Sequence, residues 1–540
     1  MIIDDALNMA YSYAATICQD SELCKVSQEF NGLAGETERT YITKSTTITS
    51  YSDIQNLLSK LNEKESVRKS KGVYYTPYDV VRFIVINSVK SAYGKLTPEN
   101  IRREDIDAVP YKSFAAKKTV FDPTCGAGEY LLAALELKLD LLDKHYKRIP
   151  ITVIHDTVTS IFGNDINTES IMITKLRIVL CILKRYGVDY IVGLAEKMRP
   201  NFLTYDYVVE EPGENKYDII VGNPPYVEDF KSGLTLSKRY GNIYANVLIN
   251  AAKQLSKGGS IGFIIPLSYI STPRMEDLRE ELFRVIPEQY ILSYADRPDC
   301  LFDSVHQKLC ILIGKQRKSS RQIFTGNYQY WYKEERKDLF NQTQVVRNIF
   351  YTSDYVPKLG TVLDTTIFKK ITDKEGTDSV YAVSRVGEES VSLNRREAFW
   401  MKAYREKVDD PEYKVFSFPT KEEADYCYCL INSSLFWWYW ICTSDCWHVS
   451  KELNGFRAPF NGDYAEASEL AKRLMDKLEE TKVFVGTKQT DYEYKHRECL
   501  AEIHAIDDYI NEQFGLTKNE SEYIKGYALR YRTSGGAKIE

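Results

Sequence analysis

The stretch Tyr217-Asp218-Ile219-Ile220-Val221-Gly222-Asn223-Pro224-Pro225-Tyr226 constrains the fold of this chain more than any other. Ile219, Ile220 and Val221 are β-branched and apolar, as in a strand covered on both faces of a parallel sheet. Gly222 admits a close backbone approach, and Pro224 and Pro225 have no N–H for a further ladder rung. The strand therefore ends by presenting Asn223 and Tyr226 at its C-terminal edge, the edge at which open α/β sheets bind ligands. Alone, the same residues also describe a strand followed by a proline turn, with Asn as the turn residue.

The surrounding sequence selects between these readings. From about residue 119 to 313, short apolar strands alternate with amphipathic helices. Thr119–Asp122 reads as a strand, Pro123–Gly128 as a glycine turn, and the residues to about Lys144 as a helix. Ser160–Asn164 is the next strand and Thr168–Tyr186 the next helix. Lys257-Gly258-Gly259 reads as a turn into the strand Ser260–Ile265, which Pro266 stops; strands Tyr290–Tyr294 and Lys308–Ile313 follow. Such alternation predicts an α/β fold built on a doubly wound, Rossmann-like parallel sheet. Residues 1–70 read as an N-terminal helical segment and 71–315 as the sheet domain. The basic run Lys315–Arg321 reads as a linker. Residues 322–460 then form a smaller, aromatic-rich α+β domain, and 461–540 a charged helical region that frays from Arg530.

Charge gives no global field for nucleic acid: Lys and Arg total 71 against 76 Asp and Glu. Any such contact must come from a local basic cleft. The 11 cysteines are scattered, which favours a reducing cytoplasm. Met1-Ile2-Ile3-Asp4-Asp5 lacks the basic start of a signal peptide, and the apolar run Leu430–Cys442 is too short to span a bilayer, so no membrane partner is expected. Cys442, Cys446 and His448 invite a zinc site but lack a fourth ligand, and Glu63-Lys64-Glu65 reads better as a solvated helix face than as a nuclease centre. No metal is expected.

Chemistry concentrates at the strand ends. Gly126 and Gly128 let the backbone approach a ligand, but the third glycine of a dinucleotide fingerprint and the lysine of a phosphate loop are missing. Asp122, at the strand tip, suits a cation such as a sulfonium or ammonium. Asp165, one strand–helix unit later, falls where a ribose diol is gripped, with Ile166 able to pack on an adenine face. Asn201 and Phe202 offer a hydrogen bond and packing to the same ring. Thr76-Pro77 reads as a helix start, with Thr as cap, and could hold a carboxylate. At the central strand, the Asn223 side-chain carbonyl and the Pro224 carbonyl can accept both hydrogens of an exocyclic amine, whose lone pair is otherwise conjugated with its ring. Tyr226 offers a stacking face for an extruded base.

In this order Gly72-Val73-Tyr74-Tyr75-Thr76-Pro77, Phe121–Gly128, Asn164-Asp165 and Asn223-Pro224-Pro225-Tyr226 resemble the gamma-class S-adenosylmethionine-dependent DNA adenine-N6 methyltransferases. The likeness extends to the methylase part of Type IIG restriction-modification enzymes and covers roughly residues 70 to 315. It implies that Tyr74, Thr76, Asp122, Gly126, Gly128, Asp165, Ile166, Asn201 and Phe202 contact S-adenosylmethionine. It further implies that Asn223, Pro224, Pro225 and Tyr226 hold a flipped adenine, with Phe302 stacking on it. The family has Asp-Phe where this chain has Asn201-Phe202. Residues 322–460 sit where the family keeps its target recognition domain. Implied partners are double-stranded DNA and, in some systems, a separate restriction endonuclease, in a cytoplasmic, nucleoid-associated setting. Competing readings are a protein glutamine or RNA adenine methyltransferase with the same chemistry, or an inactive DNA-binding specificity subunit.

Overall fold

The structure, a computed structural model, describes residues 2–42, 50–61, 75–106, 109–302, 306–372, 375–384, 386–450, 452–460, 464–486 and 492–533. Tyr74, Glu63-Lys64-Glu65 and the chain beyond Thr533 lie outside the described residues.

Nine strands make the central sheet: β1 Val120–Asp122, β2 Ile161–Asn164, β3 Phe202–Leu203, β4 Tyr217–Gly222, β5 Leu255–Pro266, β6 Glu288–Tyr294, β7 Leu309–Lys315, β8 Gln322–Gln329 and β9 Val346–Asn348. Their order is β3-β2-β1-β4-β5-β7-β6-β8-β9. Strands β1 to β5 are mutually parallel, β7 runs antiparallel between β5 and β6, and β8 is parallel to β6. Burial along β6 is unbroken and along β7 nearly so, as expected of strands covered on both faces. The helix Tyr78–Ala92 crosses β4, β5 and β7, Glu129–His145 lies on β1 and β2, and Tyr244–Lys253 on β5.

Several sequence expectations change here. The Lys257–Gly259 turn lies inside β5 as an irregularity: Tyr217 pairs with Leu255 but Ile219 with Ser260, and Gly258 takes φ +77°. The run read as a linker joins β7 to β8 within one sheet, which continues to Asn348. The helix after Thr76 starts at Tyr78 with Pro77, not Thr76, at the cap position, and the Thr76 hydroxyl accepts from the Asn223 amide instead. Residues 530–533 are not frayed. They belong to the helix Leu529–Thr533, where Arg532 is 4% exposed and its guanidinium lies 4.1 and 4.2 Å from the ring centres of Trp400 and Trp437.

Behind the sheet, a three-stranded antiparallel sheet (Glu389–Asn394 between Ala403–Tyr404 and Tyr413–Phe418) packs with the helices Lys421–Asn432, Ser434–Thr443, Ala465–Thr481 and Leu500–Gln513. The apolar run that is too short to span a bilayer is core: every residue of Ser434–Thr443 is buried. The N-terminal helices pack on Thr168–Tyr186, where Gln55 exchanges hydrogen bonds with Arg177.

Candidate active site

The strand order reverses between β1, whose connections lead towards β2 and β3, and β4, which leads the other way. That is where an open α/β sheet parts into a crevice at its C-terminal edge. Asp122 closes β1 and Gly222 closes β4. The two ends nearly touch: a Cβ added to Gly222 would lie 2.7 Å from Asp122 Oδ1. Glycine is thus required at this position by the carboxylate of a motif a hundred residues earlier in the chain.

Asp122 is 1% exposed, and its Oδ1 accepts from the Thr124 N–H at 3.0 Å. Burial pushes its carboxyl well above the usual range, against the Thr124 hydrogen bond, and the nearby Asp165 charge raises it further. Asp165 itself is half-exposed and braces the turn, its two oxygens accepting from the Gly126 and Asn167 N–H groups at 2.9 Å each. No heavy atom outside its immediate chain lies within 4 Å of a Cβ built on Gly126, so this side of the turn is open. Gly128 faces the other way: at φ +86° its Cβ would strike Thr174 Cγ2 at 2.6 Å.

Three braces of this turn went unread in the sequence. Thr174 donates to the Gly126 carbonyl at 2.9 Å, Arg177 donates to the Ala127 carbonyl at 2.6 Å, and the Asn164 amide bridges the Pro123 and Tyr205 carbonyls at 3.0 and 3.1 Å. The only linear signal was polar Thr174 and Arg177 within an apolar helix.

Asn223 and Thr76 meet across the crevice. The Asn223 Nδ2 donates to Thr76 Oγ1 at 3.0 Å, over a sequence separation of 147. This sets the amide's orientation, with Oδ1 turned to the side opposite Thr76. Tyr226 donates its hydroxyl to the Ile264 carbonyl at 2.8 Å, so the ring is pinned by its tip while its body stays half-exposed.

The remaining candidates are dispersed. Ile166 is 67% exposed at the rim. Phe202 is buried with its ring over Gly163. Asn201 donates to the Thr159 and Ile161 carbonyls at 2.7 and 3.0 Å, which commits its amide to the start of β2 rather than to the crevice. Phe302 is 1% exposed, within the core. Cys125 is buried on the turn, as a packing residue. Among the described residues, no group of three His, Cys, Asp or Glu side chains is placed to hold a metal, and no helix is long and apolar enough to cross a membrane.

The sheet order, the crevice at β1 and β4, and a glycine turn flanked by two carboxylates define a doubly wound, Rossmann-like α/β fold with its candidate site at the switch point. Residues 159–296 match the family described as Eco57I restriction-modification methylase. The chain is 25% identical over 240 residues to Modification methylase CviBIII of Paramecium bursaria Chlorella virus NC1A, covering 43% of this chain and 51% of that one. It is also 25% identical over 158 residues to Type II methyltransferase M.PaeR7I of Pseudomonas aeruginosa, covering 27% of each. The chain spans about half or less of the length of these relatives. Among solved structures, the Type IIL restriction-modification enzyme MmeI, in complex with DNA, shares the fold across most of both chains, with TM-score 0.51, 11% identity, and coverage of 91% of this chain and 82% of that one.

Proposed function

We propose that this protein transfers a methyl group from S-adenosylmethionine to N6 of an adenine extruded from double-stranded DNA, at sites chosen by the region behind the sheet. The observation that carries the reading is the Asn223–Thr76 hydrogen bond at the switch point, which joins the two outermost motifs of the proposed site.

The crevice suits the cofactor's charge. A buried carboxyl at Asp122, held up by desolvation beside a second acid, is relieved by a cation, and the open face of Gly126 leaves room for one. When bound, S-adenosylmethionine supplies an activated methyl on a sulfonium. Asp165, half-exposed and held against the turn by the Gly126 and Asn167 N–H groups, is the carboxylate placed to grip a diol. Thr76 locks the Asn223 amide so that Oδ1, together with the Pro224 carbonyl, accepts the two N6 hydrogens. These bonds favour a pyramidal nitrogen whose lone pair is free to attack. Pro225 ends the strand, and Tyr226, fixed by Ile264, gives the base a stacking surface. Once methylated, N6 carries one proton too many and loses it to solvent past the same two acceptors.

A duplex substrate is favoured over a protein glutamine by the size of the region beyond β9, which has work to do only if an extended polymer is clamped. An inactive specificity subunit would have no use for the Thr76–Asn223 lock. A partner endonuclease and a nucleoid setting belong to the same proposal. Replacing Asn223 with Ala tests it. Methyl transfer to plasmid DNA, read by sequencing for N6-methyladenine, should fall at least a hundredfold while calorimetric S-adenosylmethionine binding is retained. Unchanged transfer would refute the assignment, and a wild-type protein that modifies RNA or protein instead would refute the substrate.

A further inference from the structure

At the same edge of the sheet, a cavity of about 440 Å³ lies between the ends of β6 and β7 and the region behind the sheet. Asp296 and Arg297 follow β6, and Lys308 precedes the antiparallel β7, so all three stand at the edge that carries Asp122 and Asn223. The opposite wall comes from two segments joined by an Arg396–His448 bridge. These contain the donor-and-aromatic stretch Asn394–Trp400 and the Cys446–His448 stretch, neither of which the proposed chemistry uses.

Three features make this a built site. Trp447 is 53% exposed, although it lines the cavity, and Lys308 Nζ lies 3.4 Å from its ring centre. Lys308 and Lys402 stand 3.8 Å from the Asp296 and Glu397 carboxylates, beyond hydrogen-bonding distance, so their ammonium N–H groups remain available to a closer acceptor. Glu397 Oε2 is buried without a hydrogen-bond partner, and burial raises its carboxyl to about 8. Burial also lowers the Lys308 ammonium, a cost that an entering anion would relieve. Lys308 covers one face of the half-exposed indole, so a single nucleotide would lay its base on the opposite face and its phosphate on the lysines. Pockets of a few hundred cubic ångströms are of ligand size.

The nucleotide cannot be the one undergoing methylation. From β4 to β6 is three strand spacings, about 15 Å. That corresponds to about four base-pair steps along a duplex. We infer that the cavity holds a second, non-target nucleotide of the bound DNA, with its base stacked on Trp447 and its phosphate on Lys308 and Lys402. The inference rests on the proposed DNA substrate.

The test uses the full chain and a duplex carrying a site that the wild-type protein methylates. Trp447→Ala should weaken duplex binding, read by fluorescence anisotropy, at least tenfold, and Trp447→Phe should recover most of the loss. Both variants should keep wild-type S-adenosylmethionine affinity and melting temperature. 2-Aminopurine placed in turn along each strand should change fluorescence at the target and at one further position about four base pairs away. The second signal alone should vanish in Trp447→Ala. Wild-type duplex affinity in Trp447→Ala, or no signal apart from the target, would overturn the inference and leave the methylation reading standing. A wild-type protein that neither binds nor methylates duplex DNA would sink both.

Discussion

Replacing Gly222 with Ala should damage the proposed cofactor site through a single atom. The new Cβ would sit 2.7 Å from Asp122 Oδ1 and 3.4 Å from Phe263 Cε1. Asp122 would have to retreat by about half an ångström to reach ordinary contact. It has little room to do so, being 1% exposed and held by Thr124 N at 3.0 Å. Overpacking costs about 1–3 kcal/mol, and stretching a hydrogen bond to a buried carboxyl adds about 1 kcal/mol or more. If half of about 3 kcal/mol falls on the bound state, S-adenosylmethionine affinity drops about tenfold. Isothermal titration calorimetry reads the affinity and differential scanning calorimetry the stability. Gly213→Ala is the control, since nothing lies within 4 Å of its added Cβ. Wild-type affinity and melting temperature in Gly222→Ala would refute the claim that the β1 and β4 ends are in contact.

Thr76→Val keeps the shape of the side chain but removes the acceptor for Asn223 Nδ2; turnover at saturating substrates should fall by about one to two orders of magnitude, and Thr76→Ser should restore most of it. Arg532→Ala should destabilise the protein by about 3–5 kcal/mol in urea denaturation, because it removes two desolvated cation–π contacts and the hydrogen bond to the Phe399 carbonyl, with Arg532→Lys losing less. His496 is held by burial at about 4, below its ordinary 6.5, so the native state binds fewer protons than the unfolded chain. Its contribution, on the order of 3 kcal/mol, is therefore complete above about pH 6.5 and lost as pH falls towards 4. His496→Gln should flatten the melting-temperature profile in that window, and an unchanged profile would remove His496 as its source.

The strand–helix alternation, the abrupt end of β4 and the glycine turn after β1 were legible in the linear chain, because each is enforced by neighbours within a few residues. β-branched side chains favour a covered strand, two prolines end a ladder, and glycines accept φ values that other residues resist. The helix Thr168–Tyr186 was read to the residue for the same reason. Where the sequence reading failed, the deciding partner was distant. The Thr76 hydroxyl serves Asn223 rather than a helix cap, the Asn201 amide is taken by carbonyls at the start of β2, and β8 rejoins the sheet past a run that looked like a linker. Arg532 looks like part of a frayed tail until the fold brings Trp400 and Trp437 to either side of it.

By itself, then, the sequence determined which residue types stand at the strand ends and hence what chemistry they can support. Only the tertiary structure decided which of them share one crevice. Local propensity is a matter of sterics along a few bonds. The contact of Gly222 with Asp122, the lock between Thr76 and Asn223, and the cavity walled by Lys308 and Trp447 all depend on sheet order and packing between residues far apart in the chain.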